Sequence, residues 1–358
     1  MITRVIVADL LAFSAAFLAS AIFTPAAREL AFKVGLIDHP GPRKVHATPM
    51  PVLGGLAVYL AMVFAITVFV TDGEWSQLLG IFVASTLALV VGMLDDRGML
   101  HHQIKLMLAM PFAALILIAT EMHSTIFFSW YVVPVIGIPG AWLDYGLSFV
   151  WFVGIIAAFS ILDHMDGLCA GVAAIAAAFF FSFAAVEGQL LVGTIAAAIL
   201  GASLGFLRWN ARPARIFLGD GGAMLLGLVT ATLGIKLRFP ALAPTISWMV
   251  PVLVLSVPIF DTTLVTVSRL RRGLTPFASP GKDHAAHRLV ALGLTHRQAV
   301  SVLYGVSVLG GMLAWCVAWF GKAVAGPVAV VAVMGAVAAI VWLECAPYER
   351  QESVAADA

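Results

Sequence analysis

The sequence predicts an all-α fold, a polytopic membrane helical bundle of ten or eleven transmembrane helices, and three observations carry that expectation. Of its 358 residues 62% are hydrophobic and the mean hydropathy is +1.03, far above the globular norm. Apolar runs recur from end to end, near 4–24, 52–71, 78–94, 104–119, 147–162, 168–186, 190–207, 221–238, 246–268, 299–320 and 324–343. These runs lack the period-two alternation of barrel strands, and a helix satisfies its own backbone in lipid.

The first run has no small-residue cleavage site before the next polar segment, so it is expected to stay as a span with its N-terminus outside. Several later runs fall short of the roughly 20 residues that cross a bilayer. Between residues 120 and 146, aromatic and β-branched residues (Ile126, Phe127, Phe128, Trp130, Tyr131, Val132, Val133) stand among Pro134, Gly137, Pro139 and Gly140, which predicts a small external hairpin or interfacial segment. The internal connections, 25–51, 95–103, 163–167, 208–220 and 269–298, hold nearly all the reactive side chains. Residues 1–348 read as one integral membrane domain, and 349–358 as a disordered cytoplasmic tail.

Basic residues set the orientation. Sixteen of the twenty Lys and Arg fall in internal segments, leaving Arg4, Lys236, Arg238 and Lys322 outside. The positive-inside rule therefore puts the internal connections in the cytoplasm. A net charge of +1 gives no attraction to nucleic acid. Cys169, Cys316 and Cys345 show neither metal spacing nor a paired framework, and read as small packing residues.

Among 19 carboxylates, Asp95, Asp96, Asp163, Asp166 and Asp220 cluster in three short segments, each against an apolar run. Acids placed there are costly unless a cation meets them, and oxygen-rich clusters suit Mg²⁺ and phosphate substrates. Asp95 and Asp96 can reach one site only where their helix ends, as Gly98 suggests. Asp163 and Asp166, three apart, share a face if the helix continues. His164 between them reads as a passive turn residue, since carboxylate sites select hard cations. Asp220 precedes Gly221 and Gly222, whose N–H groups at a helix start offer an anion site. His284, His287 and Arg288 have the spacing to grip a diphosphate; a zinc reading of the two histidines lacks a third soft ligand nearby. Lys105 either snorkels to headgroups or reaches the site.

These segments resemble the polyprenyl-phosphate N-acetylhexosamine-1-phosphate transferases. The loop Asp38 to His46, with Pro51 and Gly54–Gly55, is similar to that family's opening motif, and Asp95–Asp96 with Lys105 matches its acid pair and lysine. Asp163 with Asp166–Gly167–Leu168 matches its third motif, Asn210 with Pro213–Ala214 through Gly219–Asp220 its fourth, and His284 to Leu289 its histidine loop. The chain departs at Ser160, where Asn is usual, at His164, where Gly is usual, at Gly221–Gly222–Ala223 in place of Ser-Gly-Ser, and at Ala286 in place of a further His.

The resemblance implies transfer of a sugar-1-phosphate from a UDP-sugar to polyprenyl phosphate (undecaprenyl or decaprenyl) at the cytoplasmic face of a bacterial inner membrane, with Mg²⁺, or Mn²⁺, as cofactor. Asp220 would ligate the metal with Asp166 near it. Asp95, assisted by Asp96, would deprotonate or orient the lipid phosphate, and Asp163 would belong to the same catalytic set. Arg43, Lys44, Lys105, Ser160, Asn210, His284, His287 and Arg288 would bind substrate. A homodimer is compatible with this reading. The run His287 to Leu294 resembles the branch using UDP-GlcNAc-type sugars, whereas the MurNAc-pentapeptide branch carries three consecutive histidines, absent here. A transporter would place ionisable groups near the midplane, where only Asp9 and Asp261 are expected. A CDP-alcohol phosphotransferase needs Arg after Ala170, where this chain has Gly171.

Overall fold

The computed structural model describes residues 2–40, 48–70, 74–100, 105–122, 140–275 and 281–346. Every apolar run becomes helix. In order they are α1 (Ile2–Val34), α2 (Gly54–Phe69), α3 (Trp75–Asp96), a π-helical turn (Lys105–Ala109) leading into α4 (Met110–Ala119), α5 (Gly140–Leu162), α6 (Leu168–Glu187), α7 (Leu190–Asn210) and α8 (Gly219–Lys236). Then come the short α9 (Pro244–Ser247) and α10 (Met249–Val254), α11 (Ser256–Arg271), α12 (Ala285–Ala291), α13 (His296–Phe320) and α14 (Lys322–Glu344).

Seven of these are long and apolar enough to cross a membrane, or eight if one bent pair counts as a span, while α2 and the α4 segment are shorter apolar helices. The bent pair corrects the expectation of one continuous span over 246–268: α9–α10 and α11 meet at 79°. Pro258 explains the break, because its ring has no N–H for the Val254 carbonyl four residues back and crowds it. The first span also runs ten residues beyond its expected end at 24, to Val34. Asp144 joins the acids inside spans, since α5 starts earlier than expected and buries it. Asp9 is buried as well and accepts the Thr194 hydroxyl at 2.8 Å, clasping α1 to α7.

At the centre stands α8, packed against α2, α3, α5, α6 and α7. Only its first acid, Asp220, and its last residue, Lys236, escape burial. Glycines bring its neighbours unusually close: a Cβ at Gly55 would sit 2.4 Å from the Gly222 backbone, and one at Gly92 would sit 2.2 Å from Gly221 N. Such contacts between small residues let helices approach in lipid, where no hydrophobic force drives them together.

A two-residue ladder accompanies the helices. Ile37–Asp38 (β1) pairs antiparallel with Met50–Pro51 (β2). From there Val52 bridges to Phe217, and the N–H groups of Gly54 and Gly55 donate to the carbonyls of Phe217 (3.0 Å) and Leu218 (2.8 Å). The first internal connection is thereby sewn to the segment before α8. Residues 123–139, which hold most of the expected hairpin, and the tail 349–358 lie outside the described residues, as do Arg43, Lys44 and the side chain of Lys105.

Candidate active site

The acids converge at one end of the bundle. Helix α3 ends at Asp96, and Gly98 turns the chain away at φ +68°. Asp95 and Asp96 therefore both sit half-buried at the helix end. Asp96 Oδ1 accepts the Asp220 N–H at 3.1 Å. A Cβ at Gly219, itself at φ +78°, would fall 2.6 Å from Asp96 Oδ2, so only glycine admits this approach. Ser160, near the end of α5, donates its hydroxyl to Asp220 Oδ1 at 3.0 Å.

Asp163 and Asp166 come together by a different route from the one expected. Helix α5 stops at Leu162, and a turn closed by Gly167 at φ +77° carries both acids. Three partners fix that turn: Asn210 Oδ1 accepts the Gly167 N–H (3.0 Å), the Tyr304 hydroxyl donates to the Gly167 carbonyl (2.6 Å), and Asp166 Oδ2 accepts the Ala214 N–H (3.3 Å). Arg212 stands 3.9 Å from Asp166. Beside it opens a cleft of about 240 Å³, lined among others by Asp166, Arg212, His296, Arg297 and Tyr304.

Burial, then the charges of Asp220 and Asp166, against a hydrogen bond from Gly219 N–H, push the Asp163 carboxyl up to about 8. The acids thus repel one another in a site that calls for a proton or a cation. Their all-oxygen donor set suits a hard divalent ion.

The histidine loop is anchored from behind. Asp283 binds Arg269 through two hydrogen bonds (2.9 and 3.1 Å) and Arg272 through one (2.8 Å). Burial would raise its pKa, but Arg269, His284 and Arg272 outweigh burial and hold it at about 2. Arg288, fully buried, donates to the carbonyls of Asp283 (2.7 Å) and Leu343 (3.2 Å) and to Glu344 Oε1 (2.6 Å). His284 places Nδ1 2.9 Å from Asp261 Oδ2, and its ring stacks on His164 with centroids 4.4 Å apart. His287 lies 4.8 Å from His164. Burial, then the neighbouring His284, lowers His164 to about 3 and His287 to about 4. Both rings are thereby held in the neutral form near pH 7.

The sequence profile described as glycosyl transferase family 4 matches residues 78–238. A probable undecaprenyl-phosphate N-acetylglucosaminyl 1-phosphate transferase of Bacillus subtilis is 32% identical over 295 residues, 82% of this chain and 80% of its own. The decaprenyl-phosphate N-acetylglucosaminephosphotransferase of Mycobacterium tuberculosis is 32% identical over 311 residues, 77% of this chain and 74% of its own. An undecaprenyl-phosphate alpha-N-acetylglucosaminyl 1-phosphate transferase of Escherichia coli K12 is 29% identical over 292 residues, covering 79% and 77%. The chain belongs to glycosyl transferase family 4.

Within this family member, sequence reasoning and structure part company at four places. Asn210, expected at substrate, is buried, with its Nδ2 donating to Ile216 O at 3.0 Å while its oxygen holds the Gly167 turn. Arg288 likewise grips the protein, with no exposed surface to offer a diphosphate. Gly221 and Gly222 are buried helix contacts in place of an open anion cradle, and Asp96 takes the N–H at the helix start. His164 is no passive turn residue, because it touches both loop histidines. Tyr304 was missed altogether, since a single tyrosine inside an apolar run carries no signal until Gly167 and Gly171 are seen beneath it.

Proposed function

We propose that this transferase moves N-acetylglucosamine 1-phosphate from UDP-N-acetylglucosamine to a polyprenyl phosphate, releasing UMP at the cytoplasmic face of the bacterial plasma membrane. The observation that carries the reading is the gathering of Asp96, Asp163, Asp166 and Asp220 at two helix ends and in one turn, on the side where basic residues concentrate. The printed names of the relatives supply the sugar and the lipid.

In this reaction an oxygen of the lipid phosphate attacks the β-phosphorus of the sugar nucleotide. The bond between that phosphorus and the bridging oxygen breaks, and the oxygen leaves with UMP. Two anions must meet, so catalysis is chiefly positioning and charge neutralisation. Bound Mg²⁺, or Mn²⁺, held by Asp220 and Asp166, would neutralise the diphosphate. Asp95 orients or deprotonates the lipid phosphate, and Asp96 fixes Asp220 through its backbone N–H. Ser160 sets the Asp220 carboxylate. Arg212 faces the cleft beside Asp166, where the nucleotide has room. Arg43, Lys44 and Lys105 meet the incoming lipid phosphate, and His287 donates an N–H to the sugar nucleotide.

The test is purified protein with radiolabelled UDP-N-acetylglucosamine and undecaprenyl phosphate. Label entering the organic phase with equal release of UMP is expected, and its loss in Asp220→Asn at unchanged melting temperature. Intact UDP-sugar accumulating in proteoliposomes without UMP would refute the reading.

A further inference from the structure

We infer that His164, His284 and Asp261 form a binding site for a zinc-class divalent cation, separate from the all-oxygen acid cluster. Each residue can present one ligand atom, and these atoms lie within 4.8 Å of one another. The three come from distant parts of the chain: the turn after α5, the middle of α11 and the residue preceding α12.

A hydrogen bond fixes the His164 tautomer. His164 Nδ1 lies 3.1 Å from the Ile161 carbonyl, which can only accept, so Nδ1 carries the proton and Nε2 presents a lone pair. That Nε2 is buried and, among the described residues, has no hydrogen-bond partner. His284 Nδ1 faces Asp261 Oδ2 at 2.9 Å, so an ion that replaced the proton between them would take a lone pair from each. Asp261 Oδ1 also accepts the Ala285 N–H at 2.7 Å, so the carboxylate is held in place. The His164 imidazole, with one N–H tied to a carbonyl and the other nitrogen bare, has the arrangement of a metal-ligating histidine. The two rings stack side by side, with planes 24° apart.

Two nitrogens and one carboxylate select a borderline ion over Mg²⁺, which prefers oxygen alone. Zinc-to-nitrogen bonds of about 2.0 Å in a tetrahedron require ligand atoms about 3.3 Å apart, so the rings draw together on binding. The ion would pin the histidine loop to the turn that carries Asp163 and Asp166. The inference stands on these contacts and does not depend on the sugar or lipid transferred.

The experiment incubates purified full-length protein with Zn²⁺ or Co²⁺ in excess Mg²⁺, desalts it, and measures metal content and the visible spectrum of the cobalt form. Wild type should retain about one equivalent with the absorption of four-coordinate Co²⁺. His164→Gly, which restores the residue usual in the family, and His164→Gln, which keeps the side-chain bulk, should each lower affinity about 10-fold or more. Asp220→Asn should bind as wild type does. No uptake by wild type, with water filling the site, overturns the inference. So does uptake that survives both His164 variants or disappears in Asp220→Asn, which would place the ion among the acids.

Discussion

Substituting Gly92 by alanine tests the close crossing of α3 and α8 on which the acid site depends. A Cβ there would lie 2.2 Å from Gly221 N, 2.3 Å from Gly221 Cα and 2.6 Å from the Asp220 carbonyl carbon. All three are backbone atoms, so no side chain can swing aside. Restoring ordinary contact near 3.4 Å requires the helices to part by about 1 Å. Overpacking of this kind costs ~1–3 kcal/mol, and the better helix propensity of alanine offsets ~1 kcal/mol of it. The melting temperature should therefore fall only modestly. Turnover should fall much further, because the 3.1 Å bond from Asp220 N–H to Asp96 breaks, and a displacement of about 1 Å at a reacting centre can cost ~10²-fold. The assay is kcat for UMP release beside thermal unfolding in detergent. Gly154→Ala is the control, since no atom of the described residues lies within 4 Å of its Cβ. Gly92→Ala with kcat within about threefold of wild type, or Gly154→Ala losing as much, would refute the reasoning.

Three further outcomes follow from the same geometry. Because Asp163 has a folded pKa of about 8 against 3.8 for a free carboxyl, the folded chain holds the extra proton between those values. In chelator its melting temperature should accordingly fall as pH rises towards 8 and then level, and Asp163→Asn should remove the slope. Arg288→Ala, which strips a buried partner from Glu344, should cost ~3–5 kcal/mol of stability and leave KM for the sugar nucleotide near wild type, whereas a direct diphosphate contact would raise KM. A cysteine replacing Arg97, in a chain lacking Cys169, Cys316 and Cys345, should resist impermeant thiol reagents in intact cells and react in inverted vesicles.

The helices were legible because lipid leaves an apolar run little other choice, and the acids were legible because five of them abut such runs for no packing reason. What the sequence hid was partnership. Gly221 and Gly222 look the same whether they cradle an anion or face Gly92 and Gly55, and only the crossing of three helices decides. Asp166 reaches Ala214 across 48 residues and His284 meets Asp261 across 23, contacts that no local period encodes. The break at Leu255 was readable in principle from Pro258, but in a run of apolar residues a proline marks a kink as readily as a 79° turn.

The burial of α8 on every side has a consequence for how the enzyme meets its bilayer. A helix touching lipid can tilt when membrane thickness changes, and its end groups then shift in depth. With its circumference occupied by protein, α8 has no such freedom. The height of Asp220 above the hydrocarbon is set by the surrounding helices, so lipids of different chain length should strain the outer helices α13 and α14 before they displace the acid. A long isoprenoid whose phosphate must arrive at one fixed level then finds the same landing point in thick and thin membranes.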